Sequence, residues 1–201
     1  MRHKKNTSRE GILDAAIKLY LSGGLKALSM RRIARELRLT PMALYRHFRN
    51  KDAVLIALVD RGFTLFGEYQ LRALAGKTAS ERLLLAGQAF LDFTLENPQF
   101  FKVIFMAPDI FAEVELPTEI DARARQTYQF LIDRVNEGMR EGFLKSGDAE
   151  GMAKSIWAMS HGLASLYLGQ MLETNEDGFR SIFMNAFMHL GTGIFVDGPT
   201  A

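Results

Sequence analysis

Apolar residues recur along this chain at intervals of three and four for most of its length, and alternating runs that would mark half-buried strands are scarce. The pattern predicts an all-α fold of roughly nine helices and no sheet. Ile12, Ala16, Leu19 and Tyr20 line one face of a first helix, from about Ser8 to Leu21, which Gly23-Gly24 stops. Ser29 caps a short second helix with Ile33 and Leu37 facing inward. Thr40-Pro41 opens a short third helix, a capping residue followed by a proline at the one position where its missing N–H costs nothing. Asn50 opens a fourth helix, from Lys51 to about Leu74, with Val54, Leu55, Leu58 and Val59 on one side.

Beyond a looser Gly76-Lys77-Thr78 segment, a fifth helix begins at Ser80 and runs to about Glu96. Asn97-Pro98 ends it and starts a short aromatic helix to Phe105, and Pro108 to Leu116 reads as a loop. Pro117 starts a long helix that ends near Gly142. Two apolar helices follow, one from about Asp148 to Glu173 and one from about Glu176 to Phe195.

Charge alters this picture more than composition does. The 201 residues carry a net charge of only +2, but residues 1–52 hold 13 Lys+Arg against 4 Asp+Glu, a net +9, whereas residues 53–201 hold 12 against 19, a net −7. A basic N-terminal quarter on an acidic remainder points to one part that meets a polyanion and another that does not. The expected division is one domain over residues 1–52 and a second over 53–201, linked by the fourth helix. No cysteine occurs, which excludes disulfides, thiolate zinc sites, cysteine nucleophiles and sensing by thiol oxidation. No stretch reaches the ~18 uninterrupted apolar residues of a membrane span, and Met1 to Ser8 is basic and polar rather than signal-like, so a cytoplasmic protein with no membrane partner is expected.

The second and third helices are joined through Arg38-Leu39, a turn of about two to three residues, which makes them a helix-turn-helix. The second helix of such a pair enters the major groove. Leu44 and Phe48, four apart, share its inner face, while Met42, Tyr45, Arg46 and Arg49 project from the other side, and it contains no carboxylate. Arg46 and Arg31 can hydrogen-bond bases or phosphates, Thr40 offers a hydroxyl, and Tyr45 offers a phenol or a ring edge for a thymine methyl. Lys51, in the first turn of the fourth helix, suits a phosphate, as do the free N–H groups there. Arg2, Lys4 and Lys5 form a basic arm.

The runs Leu25-Lys-Ala-Leu-Ser-Met-Arg-Arg-Ile-Ala-Arg-Glu-Leu37 and Leu39-Thr-Pro-Met-Ala-Leu-Tyr-Arg-His-Phe-Arg-Asn-Lys51-Asp-Ala-Val-Leu55 resemble the DNA-binding domain of TetR-family transcriptional repressors. The words Leu44-Tyr45-Arg46-His47-Phe48 and Asn50-Lys51 are the most specific part, and the resemblance spans residues 8–60. It implies an all-helical homodimer whose two helix-turn-helix units bind a palindromic operator, and a small effector in the larger domain that changes their spacing and releases DNA. By position, the family's DNA contacts fall on Ser29, Met30, Arg31, Thr40, Pro41, Met42, Tyr45, Arg46, His47 and Lys51. One departure stands out. The family commonly turns on a small-residue run such as Ala-Gly-Val, but this chain has Leu37-Arg38-Leu39, so a residue other than glycine must take any left-handed conformation there.

The two final helices are apolar on more than one face, and Ala158, Gly162, Ala164, Ser165 and Gly169 allow close approach. Such a pair can form a four-helix bundle with its two-fold mate, or an ordinary intrachain core. Trp157 and His161, four apart and followed by Gly162, resemble a word found in one subgroup of the family's ligand-binding domains. Aromatic residues crowd the fifth to seventh helices, among them Phe90, Phe93, Phe100, Phe101, Phe105, Tyr128 and Phe130. Phe101, Phe105, Tyr128, Trp157 and His161 are the candidate contacts for an apolar or aromatic effector, and plain core is the competing reading.

Enzyme chemistry has no foothold. There is no Glu-x-x-His pair, His-Glu-x-x-His, P-loop, Gly-x-Gly-x-x-Gly or Gly-x-Ser-x-Gly, and the four histidines at 3, 47, 161 and 189 share no metal-like spacing. No catalytic residue, metal or cofactor is expected. The alternative is a helix-turn-helix regulator controlled by a partner protein or by no small molecule, and a small all-helical enzyme is a distant third.

Overall fold

The computed structural model describes residues 8–194, with side chains described through residue 191. Ten α-helices occur among them and no strand: α1 (Arg9–Ala27), α2 (Met30–Leu37), α3 (Pro41–Tyr45), α4 (Lys51–Leu71), α5 (Ala79–Glu96), α6 (Pro98–Phe105), α7 (Pro108–Glu113), α8 (Thr118–Arg140), α9 (Ala149–Leu168) and α10 (Glu176–Ile194). A 3-10 turn, Arg72–Ala75, follows α4. The all-α expectation is borne out, with ten helices in place of nine. Arg2, Lys4, Lys5, His3 and Phe195 lie outside the described residues.

Local capping accounts for most boundaries. The Ser8, Ser29, Thr40 and Asp148 side chains each accept an N–H at the start of their helix, and Asn50 Oδ1 accepts from Ala53 N–H at 2.9 Å. Thr78 and Glu81 form a reciprocal capping box, which starts α5 one residue earlier than expected. The Gly23-Gly24 pair breaks α1 as expected. Gly24 has φ +63°, a left-handed conformation, and one further turn continues to Ala27.

Two expectations fail for identifiable reasons. Pro108 to Leu116 is not a plain loop: Pro108 takes the first position of α7, and Ile110 and Val114, four apart, are buried at 0% and 7% exposure. α9 ends at Leu168 rather than at Glu173, because Gln170 turns left-handed (φ +57°). The Met171 N–H then reaches Leu166 C=O and the Gln170 N–H reaches Tyr167 C=O, two bonds that satisfy the last carbonyls of the helix.

The chain divides into two compact units, one made of Met1–Thr64 with Gln99–Asp121 and the other of Leu65–Pro98 with Ala122–Ala201. In the first, Ile12, Ile33, Leu44, Leu55, Leu58, Phe101 and Ile110 are fully buried. Gly62 of α4 is required by this packing, since a Cβ there would overlap Ile104 of α6. In the second, Leu83, Val135, Leu144, Ala153, Ile156 and Phe187 form one core cluster, and Phe93, Phe179 and Phe183 are fully buried. Arg82 fastens α5 to α8 by pairing with Glu137 at 2.7 Å and Glu141 at 3.2 Å, and the guanidinium holds the Glu137 carboxyl below the usual range. No helix among the described residues is long and apolar enough to cross a membrane.

Candidate nucleic-acid interface and aromatic cluster

The turn between α2 and α3 solves the missing-glycine problem with Arg38. It sits at φ +57°, ψ +41°; its N–H bonds Arg35 C=O at 3.1 Å, and the Leu39 N–H bonds Ala34 C=O at 2.8 Å. This is the paired-bond helix stop usually built on glycine, here built on a residue that pays a steric cost in that region. Leu44 (0% exposed) and Phe48 (3%) then hold α3 against the first unit's core. The Arg9 guanidinium covers the Phe48 ring at 5.1 Å.

Anchoring Leu44 and Phe48 inward turns the opposite face outward. Met42 is 69% exposed and Tyr45 50%, and Arg31, Thr40, Pro41, Arg46 and His47 are exposed beside them. Ser29 is half-buried with its hydroxyl committed to the Arg32 N–H, and the Thr40 hydroxyl accepts from Ala43 N–H. Met30 differs from the rest: its side chain is buried, on the same face as Ile33, Ala34 and Leu37. Lys51 is half-buried at the start of α4, and its ammonium pairs with Glu113 of α7 at 2.5 Å. No sequence signal marks that partner, 62 residues away.

The five candidate effector residues do not fall in one unit. Phe101 and Phe105 belong to the first, with ring centroids 5.1 Å apart and Phe63 6.0 Å from Phe105. Tyr128, Trp157 and His161 belong to the second and are adjacent: Tyr128 to Trp157 is 5.6 Å, Trp157 to His161 is 4.7 Å, and His161 to Phe90 is 5.0 Å. The ring series continues from Phe90 to Phe183 (5.9 Å) and to Phe66 (6.0 Å). At its outer end lies an open cleft of about 580 Å³ lined by Tyr128, Trp157, Ile132, Gln129, Arg125 and Lys154, among others. The Tyr128 hydroxyl is shielded from water with no hydrogen-bond partner, an unusual state for a buried polar atom.

Burial among these rings lowers the His161 pKa from 6.5 to about 4. The unfolded imidazole takes its proton near pH 6.5 and the folded one near 4. Stability from this group is therefore complete above pH 6.5 and declines as the pH falls toward 4, by up to about 1.4 kcal/mol per pH unit. Comparing urea midpoints of the wild type and His161→Gln at several pH values should show a difference that is constant above 6.5 and shifts against the wild type below it. A pH-independent difference would mean that the imidazole is not held neutral.

A family model described as "Bacterial regulatory proteins, tetR family" matches residues 12–58, and one described as "Tetracyclin repressor-like, C-terminal domain" matches residues 83–186. The class D tetracycline repressor of Escherichia coli is 27% identical over 172 residues, which are 84% of this chain and 67% of that protein. Among solved structures, a protein of unknown function from Rhodococcus sp. RHA1 is similar in fold with a TM-score of 0.76 at 24% identity, over 93% of this chain and 95% of the other. AibR, solved with isovaleryl coenzyme A and operator DNA, has a TM-score of 0.71 at 23% identity, over 87% and 95%. The two family models take in both the basic helix-turn-helix segment and more than half of the chain beyond it, and on that ground the chain belongs to the TetR family of bacterial transcriptional regulators.

Proposed function

We propose that the protein is a homodimeric repressor that binds a palindromic operator and is released by a small effector. The observation that carries this reading is the outward face of α3. Thr40, Met42, Tyr45, Arg46 and His47 are exposed together on α3 and the residues that flank it, a segment without a carboxylate, pinned from behind by Leu44 and Phe48. Met42 and Tyr45 have no packing role to account for their apolar surface, and a groove with thymine methyls and acceptor edges gives them one. In this reading residues 1–52 read DNA and residues 53–201 sense and pair.

Dimerisation is supported by an unpartnered apolar stripe on α9 and α10. Leu166 (38% exposed), Ile182 (38%) and Met188 (45%) are open to solvent, with Ala158 and Gly162 exposed on the same face of α9 as Leu166. Two copies of this pair would bury the stripe in a four-helix bundle. The effector reading is supported by the cleft beside Tyr128 and Trp157. A molecule with a flat apolar body would stack there on the rings of Tyr128 and Trp157. AibR, described with both isovaleryl coenzyme A and operator DNA, shows that one protein of this architecture takes both kinds of partner. The effector acts by population shift, binding better to the state whose reading heads are wrongly spaced for major grooves ~34 Å apart. Nothing in this scheme calls for catalysis, a metal or a cofactor, and DNA binding sets the cytoplasm as its place of work.

Selection of bound sequences from random DNA with the purified protein tests the proposal. A palindrome is expected; enrichment of single half-sites, or no enrichment, would overturn the dimeric operator. A thermal-shift screen tests the effector, because a ligand of the folded state raises the midpoint by mass action. A shift produced only by a partner protein would favour a regulator under protein control. Lys51→Ala should weaken binding across all sequences and reduce the slope of log affinity against log salt by about one unit. An unchanged slope would remove Lys51 from the phosphate contacts.

A further inference from the structure

Lys51 meets a carboxylate before it meets any phosphate. Its ammonium lies 2.5 Å from Glu113 Oε1, and Glu113 is the last residue of α7. That short helix is fixed within the first unit. Ile110 is fully buried and Val114 nearly so, and one turn before Glu113 the Asp109 carboxylate accepts a hydrogen bond from the Tyr20 hydroxyl of α1 at 2.7 Å. Burial and this carboxylate push the Tyr20 phenol far above its ordinary range, so it remains a donor. Glu113 is thus presented to the start of α4 by a helix that is itself tied to α1.

We propose that Glu113 stands in for a DNA phosphate, occupying Lys51 in the free protein and yielding it when the operator binds, so that α7 sets the affinity of the reading unit. This rests on the reading of Lys51 as a phosphate contact. An ammonium has three donors and can touch two anions, but a carboxylate left beside a phosphate is a like-charge contact that opposes docking. The pair contributes little to the fold, since both partners reach solvent, with side-chain exposures of 29% and 41%. The remaining consequence is for DNA: the protein begins with one phosphate ligand already engaged, and any shift of α7 that parts the two side chains frees it.

The test is a double-mutant cycle read by fluorescence anisotropy on the duplex recovered from the random-DNA selection, at one salt concentration. Glu113→Gln keeps the side-chain shape and removes the charge. It should bind about two- to fivefold more tightly than the wild type, with an unchanged thermal midpoint. Lys51→Ala should bind more weakly, and adding Glu113→Gln to it should bring no gain. An equal gain with and without Lys51 would overturn the proposal, because Glu113 would then act as general negative charge. No gain in the Lys51 protein would overturn it as well. A Lys51→Ala protein that binds like the wild type would instead remove the phosphate reading beneath it.

Discussion

Replacing Tyr45 by alanine is expected to abolish operator-specific binding while leaving fold and self-association intact. The ring closes a helix of five residues, so α3 has few side chains with which to read a groove, and the half-exposed Tyr45 ring is the largest of them. Its neighbour Leu44, fully buried, holds the helix in place and is untouched by the change. Because Tyr45 contributes nothing to the core, stability should move by no more than about 0.5 kcal/mol. Truncating a central aromatic contact typically costs about 2 kcal/mol or more, at least about thirtyfold in affinity, and should bring the variant down to its affinity for random-sequence DNA. Competition between the selected duplex and a scrambled one measures this ratio directly. A variant that still prefers the selected duplex as the wild type does would take Tyr45 off the reading surface.

The helix-turn-helix was legible because its instructions are local. Ser29, Thr40 and Asn50 each cap a helix within three residues of themselves, and each makes the expected bond. Met30 stands among the DNA-contact candidates by family position alone. Its spacing to Ile33, Ala34 and Leu37 is that of a buried helix face, and the structure buries all four; periodicity already contained this signal. Arg38 was legible only as a question, since no propensity argument says which residue of Leu37-Arg38-Leu39 turns left-handed.

What stayed hidden depends on long-range packing. α7 is six residues long and buries Ile110 within it and Val114 just beyond, too little periodicity to separate from a loop. Its two working carboxylates reach partners 89 and 62 residues distant, Tyr20 and Lys51. The aromatic residues pose the same difficulty in another form. Helical spacing shows that Phe101, Phe105, Tyr128 and Trp157 face inward or toward a partner element, but not which rings meet. The structure places the first two in one unit and the last two in the other.

Phe93→Ala should destabilise the fold far more than Tyr45→Ala, Lys51→Ala or Glu113→Gln. The ring is fully buried in the second unit, with Phe66 at 4.9 Å and Tyr69 at 5.7 Å. Its neighbours have little freedom to close over the space it would leave. The Tyr69 hydroxyl bonds Glu96 and accepts from Asn97 Nδ2, and the Arg72 guanidinium lies 3.7 Å above the Tyr69 ring. Phe66 is held against Phe90, at 6.0 Å. A cavity whose walls cannot relax carries both the lost transfer energy and the lost contacts, which for phenylalanine amounts to about 3–5 kcal/mol. For a chain of this size that is a fall of roughly 6–20 °C in the thermal midpoint. Urea unfolding should show the same loss as a lower midpoint with an unchanged slope, since the surface exposed on unfolding hardly differs. A loss under about 1 kcal/mol would mean that Phe66 and Tyr69 collapse into the space, and that the tethers on Tyr69 do not hold it.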